Sequence, residues 1–520
     1  MQANSVYINI MSQPLNTNIS SQRLSWTERM LRNYGGGMYM PHDTVMMPKW
    51  LIVPSIAFFF VAMVVCWIFF GHVPNWDLMF VASLSVVVFF SAGNSMSRRL
   101  SCASEKRFLK NIFYVGFLVR MIWVLYLYFI FNPHYYGTTY GDGADVVWYM
   151  PFAQAIADWI TNDSYLTLPQ IIDDYMSAID DVGYPMILAI EYVLTGKESD
   201  VFVPFVFKSI MGAYCAVCVY RIAKRHFGIG TARVAALFVC LNPNMIYWCG
   251  TMMKEAEMVF FCCIAVDKLD QGLSSGNKLT LRALWPGILA GLVLFFMRTA
   301  LALALFLAAL THIVLASNKV ISVAKKIIVT VIIFATVFVA LGDRIIQQSK
   351  GYLDLVQSDS QQVNMEWRSN REGGNSLARY ASATVFAPLI FTIPFPTLNV
   401  ANEWQLTQVQ LAGGSYIKNI LSFFVIMVML LLLLSGEWRK HVFILAYMCG
   451  YLVVLVFSGF AQSGRFHMPV WPMLMLFAAY GVQLAKGNAN LRRGFSMVLM
   501  AEVLVCLFWN WFKLKGRGMI

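Results

Sequence analysis

Charge is what this sequence has least of. Only 13% of its 520 residues are Asp, Glu, Lys or Arg, about half the ~25% of a soluble domain. A chain this poor in charge, 59% apolar and with a mean hydropathy of +0.62, is excluded from the soluble globular, disordered and collagen-like classes. Several chemical signatures are missing too. There is no zinc-ligand spacing, no GxSxG elbow, no Cys-His arrangement and no Gly-rich phosphate loop leading into a helix. Gly35, Gly36 and Gly37 lie in a polar stretch and read as a flexible turn. The ten cysteines fall almost entirely inside apolar runs, so no disulfide framework is expected. Cys215 and Cys218 have redox-motif spacing but no His nearby, and read as small buried residues. The first apolar run begins near Trp50, which argues against a cleaved signal. No internal repeat is evident.

What the chain does have is long apolar runs. A spanning helix needs about 20 mostly apolar residues. Runs at 50–70, 78–95, 111–131, 201–222, 231–248, 253–270, 283–297, 299–316, 327–342, 416–434, 441–459, 468–485 and 495–512 qualify as candidates. The expected fold is therefore an all-α membrane protein, a bundle of about thirteen spans. With residues 1–49 cytoplasmic, every short inside loop is basic: Arg98, Arg99, Lys106, Arg107 and Lys110 in the first, Arg221, Lys224, Arg225 and Arg233 in the next, then Lys268, Lys278 and Arg282, and later Arg439 with Lys440 and Lys486 with Arg492 and Arg493. That asymmetry fixes orientation and accounts for the +12 net charge without nucleic acid. The tail bases Lys513, Lys515 and Arg517 depart from it, falling outside if there are thirteen spans. The prolines in 383–400 suggest a re-entrant or surface piece there. The expected division is a cytoplasmic segment 1–49, an added helix pair 50–95, a core 111–342 with an outer loop 132–200, a second outer loop 343–415, and C-terminal spans 416–520. A multi-pass protein of the plasma (inner) membrane is expected, surrounded by its lipids.

The first outer loop holds eleven acids and one Lys, Lys197; the second carries Arg344, Lys350, Arg368, Arg371 and Arg379. Most such acids are simply solvated. Asp142 and Asp145, however, stand just past the outer end of a span, at the start of a helical pattern that includes Tyr149. Asp145 suits an N-cap. It equally suits a base that takes a proton from an acceptor hydroxyl, with Asp142 as alternate or partner. The segment 182–196 is too short to span and reads as a second surface helix. Lys254 with Glu255, Arg298 and Arg465 all mark the outer ends of spans. Singly, each cation suits interfacial anchoring; together they suit a lipid-linked phosphate. His467 reads as an interfacial residue. No cofactor is expected. Carboxylates of the acidic loop are chemically suited to Mg or Mn, but no spacing demands a metal.

These segments, in this order, resemble the GT-C superfamily of polytopic glycosyltransferases that use polyprenyl-phosphate sugars, in the branch of lipid A aminoarabinose transferases and protein O-mannosyltransferases. The likeness rests on Asp145, Tyr149 and Ala153, on GYPMILAIEYVLTG, on GAYCAVCVYRIAKRHFG, on the hairpin through NPNMIYWCGTMMKE, on GILAGLVLFFMRTALALALFLAAL and on SGRFHMPVWPMLMLFAAYG. It departs from the family in the extra pair of spans at 50–95. The acidic pair is also spread into Asp-Gly-Ala-Asp, which leaves open whether Asp142 or Asp145 acts. The resemblance implies inverting sugar transfer from a lipid phosphate to a glycan, lipid or protein acceptor at the extracytoplasmic face. An Asp would serve as base, and cations (Lys254, Arg298, Arg465, with Arg371 or Arg379) would steady the phosphate. Glu255 and Tyr149 would shape the site. Two other readings stand beside it. One is an O-antigen polymerase or ligase acting on a pyrophosphate-linked glycan. The other is a transporter or flippase, though transporters favour mid-membrane charges and inverted repeats.

Overall fold

The computed structural model describes residues 46–70, 76–141, 145–175, 181–196, 201–274, 281–316, 406–457 and 464–515, with positions 328 and 331. All lie within one compact unit, 40–520, and every regular element among them is helical. Among the described residues, seven helices are long and apolar enough to cross a membrane. The expected spans 283–297 and 299–316 emerge as shorter apolar helices, and 327–342 lies almost wholly outside the described residues.

Helices α1 (Lys49–Phe70) and α2 (Trp76–Leu100) form the added N-terminal pair. Helix α3 (Glu105–Tyr126) shows how one face is chosen. Its buried residues, Phe108, Ile112, Gly116, Arg120 and Val124, recur every fourth position, which lines one side of a 3.6-residue helix. Tyr114, Leu118 and Ile122 lie exposed on the other side. In water such a surface would aggregate; against lipid it is ordinary. The helix runs on through a π-turn (Leu127–Phe131) into Asn132–Tyr136.

Three short helices follow: α4 (Val146–Thr161), α5 (Leu168–Tyr175) and α6 (Gly183–Thr195). They form the segment expected as the first outer loop, and α4 packs on α6. Helix α7 (Phe202–Leu241) has 40 residues but is not one rod. Gly228 takes φ +82°, a backbone state that glycine alone adopts without strain, and the chain turns back there. The Lys208 carbonyl therefore lies 3.5 Å from Cys249 Sγ, forty-one positions later. The returning half ends at Asn242, whose side chain caps the short helix Pro243–Tyr247 by accepting from Asn244 N at 3.1 Å and Met245 N at 3.2 Å.

Helices α8 (Glu255–Ser274), α9 (Leu281–Met297) and α10 (Thr299–Ala316) complete this half. The other half is α11 (Leu406–Ser435), α12 (Val442–Phe457), α13 (Trp471–Lys486) and α14 (Ala489–Lys515). Helix α7 touches α3, α8 and α13 and so sits at the centre. Helix association in lipid is not driven by the hydrophobic effect, so close packing and internal polar bonds must hold such a bundle. Arg120 is one such bond. Fully buried, it donates to Gly116 O at 3.0 Å and Cys240 O at 3.1 Å, tying α3 to α7. One end of the bundle is bound by basic residues. Arg225 meets Asp267 at 2.7 Å and Asp270 at 2.8 Å, and Arg233 donates to the carbonyls of Ser101 and Ala103, both at 2.6 Å. The other end carries the short helices α4, α5 and α6.

Candidate active site

The site is built around one turn, 464–467, between α12 and α13. Two tyrosines of α12 fix it: Tyr451 donates to Phe466 O at 3.1 Å and Tyr447 to Pro469 O at 3.3 Å. The turn presents Arg465, and Arg465 gathers two distant acids. Its Nη2 donates to Asp145 Oδ2 and its Nε to Glu255 Oε1. Asp145, Glu255 and Arg465 come from three separate parts of the chain, 320 positions apart at the extreme.

Asp145 occupies the N-cap position of α4, but its side chain makes no capping bond. Its backbone carbonyl instead accepts from Trp148 N and Tyr149 N at 3.1 and 3.0 Å. The carboxylate is thus released from a local structural task and turned to Arg465, while its side chain stays 39% exposed. That exposure leaves the carboxylate open to solvent. Glu255 is fully buried, and its Oε2 has no hydrogen-bond partner among the described residues. Burial alone would lower the basicity of Arg465, but Glu255 and Asp145 outweigh it and hold the guanidinium more firmly charged than usual.

Arg298, between α9 and α10, packs against the same turn. Its guanidinium lies 4.3 Å from the Phe466 ring centroid, and Nη1 is 3.5 Å from the Tyr451 hydroxyl. The ring face attracts the cation without neutralising it. Among the described residues no carboxylate lies within ion-pair distance of Arg298. Lys254 has a different setting. It pairs with Asp181 and donates to Met297 O at 3.0 Å, so it bridges the start of α6 to the end of α9. The Tyr149 ring is 5.9 Å from Lys254 Nζ, and its hydroxyl is 3.4 Å from Asp181 Oδ1. Burial first, then the Asp145 and Glu255 charges, push the Tyr149 phenol above its usual range. It is therefore a hydrogen-bond donor at any working pH.

The structure thus brings Asp145, Tyr149, Lys254, Glu255, Arg298 and Arg465 to one end of the bundle. Asp142, Arg371 and Arg379 lie outside the described residues. Sequence reasoning missed a supporting layer. Lys208 donates to Thr251 O at 2.9 Å and Met253 O at 2.6 Å and pairs with Glu257 at 3.2 Å. It clamps the chain that delivers Lys254 and Glu255. Asp181, among eleven acids, had no mark to single it out. His467 is not interfacial as expected; it is 4% exposed and paired with Lys418 at 3.0 Å. No three His, Cys, Asp or Glu among the described residues are grouped to hold a metal ion.

Clustered acids and cations at the end of a polytopic helical bundle are one arrangement for handling a lipid-linked anion, and comparison with known proteins points the same way. Residues 174–350 match the Alg9-like mannosyltransferase family, a member of the GT-C superfamily. No curated protein and no solved structure matches the chain. The Alg9-like stretch contains Asp181, Lys208, Lys254, Glu255, Glu257 and Arg298; Asp145 and Arg465 lie on either side of it. The GT-C expectation is met: the family whose model matches residues 174–350 belongs to that superfamily. The match and the apolar helices together support a multi-pass membrane glycosyltransferase that uses a lipid-linked sugar.

Proposed function

We propose that this protein transfers one sugar, with inversion, from a polyprenyl-phosphate donor to a glycan, lipid or protein acceptor at the extracytoplasmic face of the plasma membrane. Asp145 takes the proton of the acceptor hydroxyl as its oxygen bonds to the anomeric carbon, with Asp142 as the alternate base. The bond from that carbon to the phosphate oxygen breaks, and its electron pair leaves with the lipid phosphate. Arg298 receives the phosphate, assisted by Lys254 and Arg465 and by Arg371 or Arg379 of the second loop. Glu255 and Tyr149 hold the geometry. The phosphate is already a good leaving group, so positioning and charge stabilisation carry most of the catalysis.

One observation carries this reading: the Asp145–Arg465–Glu255 bridge adjoins a cation, Arg298, that has no acid of its own among the described residues. The basic loops at the opposite end support an outward-facing site. The family name makes mannose the first sugar to try.

The test uses the purified protein in lipid nanodiscs with a polyprenyl-phosphate sugar and, in parallel, a polyprenyl-pyrophosphate glycan. Transfer from the monophosphate donor is expected. Asp145→Asn should lower the rate by about 10²–10⁴-fold. Full activity in Asp145→Asn, in Asp142→Asn and in the double variant would remove the base assignment. Turnover of the pyrophosphate donor alone would favour a polymerase or ligase.

A further inference from the structure

Among the described residues, the buried cations around the site mostly have an acid beside them. Lys208 has Glu257, Lys254 has Asp181, and Arg465 has Asp145 and Glu255. Lys418 does not. It projects from α11 and is 3% exposed. Its neighbours are an imidazole, His467 Nδ1 at 3.0 Å, and the Trp471 ring, whose centroid is 5.5 Å from Nζ. An ammonium buried without a carboxylate is costly to fold around, and in a membrane protein such a group marks function by default.

Its position suggests which function. His467 belongs to the turn that offers Arg465 to the acids and stacks Arg298 on Phe466, so Lys418 adjoins that turn through His467. An ammonium has donors only. A protonated Lys418 donates to Nδ1 of His467, which then carries its ring proton on Nε2. Lys418 thus stands directly behind the imidazole and, when protonated, sets a positive charge there.

The chemistry of transfer supplies a use for that charge. A sugar on a lipid phosphate is a phosphodiester with one negative charge. As the bond from the anomeric carbon to oxygen breaks, the electron pair stays on that oxygen, and the phosphate becomes a monoester with a second charge. Arg298 answers the charge present in the substrate. We infer that Lys418, acting through His467, answers the one that develops during transfer. It is a positioning residue that never touches the sugar, and its contribution falls on the transition state and the product rather than on the donor. This inference rests on the proposed reading of the site.

The experiment compares wild type with Lys418→Met, which removes the charge and keeps the length. Three quantities are read with polyprenyl-phosphate sugar as donor and free polyprenyl phosphate as product inhibitor. The inhibition constant of the product should rise by about tenfold or more and kcat should fall by a similar factor, while KM for the donor stays within about twofold. The melting temperature should hold or rise, because an unpaired buried charge has been removed. His467→Gln should give the same split between donor and product. The inference is overturned if donor KM and product inhibition weaken equally, if none of these quantities moves, or if Lys418→Met melts earlier with product inhibition intact, which makes the lysine a structural brace. Absence of turnover in the wild type would instead defeat the reading of the site itself.

Discussion

Glu191 sits on the inward side of α6, 7% exposed, a place where carboxylates are seldom found unpaired. Burial first, and the nearby Glu257 second, push its acid up to about 8, against the pull of Lys208. The unfolded chain releases this proton near 4.5. Between those two values the folded protein binds more protons than the unfolded chain. Stability contributed by the neutral carboxyl is therefore complete below about 4.5 and is lost as pH rises towards 8. Glu191→Gln should remove that slope, at most about 1.4 kcal/mol per pH unit. Thermal melts of the two proteins in detergent from pH 5 to 9 should converge at the acid end, with the variant holding its melting temperature better at the alkaline end. Parallel curves would mean that Glu191 is ionised in the fold. Nothing local in the sequence singled this acid out, because its partners Glu257 and Lys208 come from other helices. The same holds for Asp181 and Lys418. Asp145, Glu255, Arg298 and Arg465 could be picked from sequence because each marks the end of an apolar run.

Elements were legible where hydropathy alone decides them. The runs 50–70, 416–434 and 468–485 correspond to α1, α11 and α13, and the surface helix expected at 182–196 is α6. Helices overrun the apolar windows, as α11 does by starting at Leu406, because polar residues at a membrane edge still continue a helix. The π-turn that follows α3 and the clamp at Lys208 had no such signal, since both depend on neighbours brought in by the fold. Close approach between elements is equally silent in the sequence. Gly183, at the start of α6, faces the end of α9 so tightly that a Cβ there would stand 2.9 Å from the Phe296 carbonyl carbon and 3.0 Å from its oxygen. Those atoms are backbone and cannot rotate aside. Gly183→Ala should therefore push α6 away from α9 and cost about 1–3 kcal/mol of stability. Tyr184 and Asp181 move with α6, and so do the contacts of Lys254 and Tyr149. Transfer should fall together with the melting temperature, and a variant that melts earlier but turns over normally would show that α6 does not set the site.

The whole molecule is electrically lopsided. One end carries the bases that hold its loops, Arg225 and Arg233 among them, and the other end carries the acid-rich short helices and the Asp145–Arg465 bridge. In a membrane this asymmetry favours one orientation, bases inside and site outside. Two exposed positions on opposite ends make that testable. Cys102 lies between α2 and α3 at the basic end and is exposed. Tyr165, between α4 and α5, is fully exposed at the site end. The remaining cysteines are buried, apart from the partly buried Cys449, so a thiol reagent has little else to find. A membrane-impermeant maleimide applied to intact cells should leave the wild type unlabelled and label a Cys102→Ser, Tyr165→Cys variant. After permeabilisation Cys102 of the wild type should react as well. Labelling of Cys102 in intact cells, with Tyr165→Cys protected until lysis, would turn the protein over. The site would then open to the cytoplasm, and the lipid donor would have to be drawn from the inner leaflet.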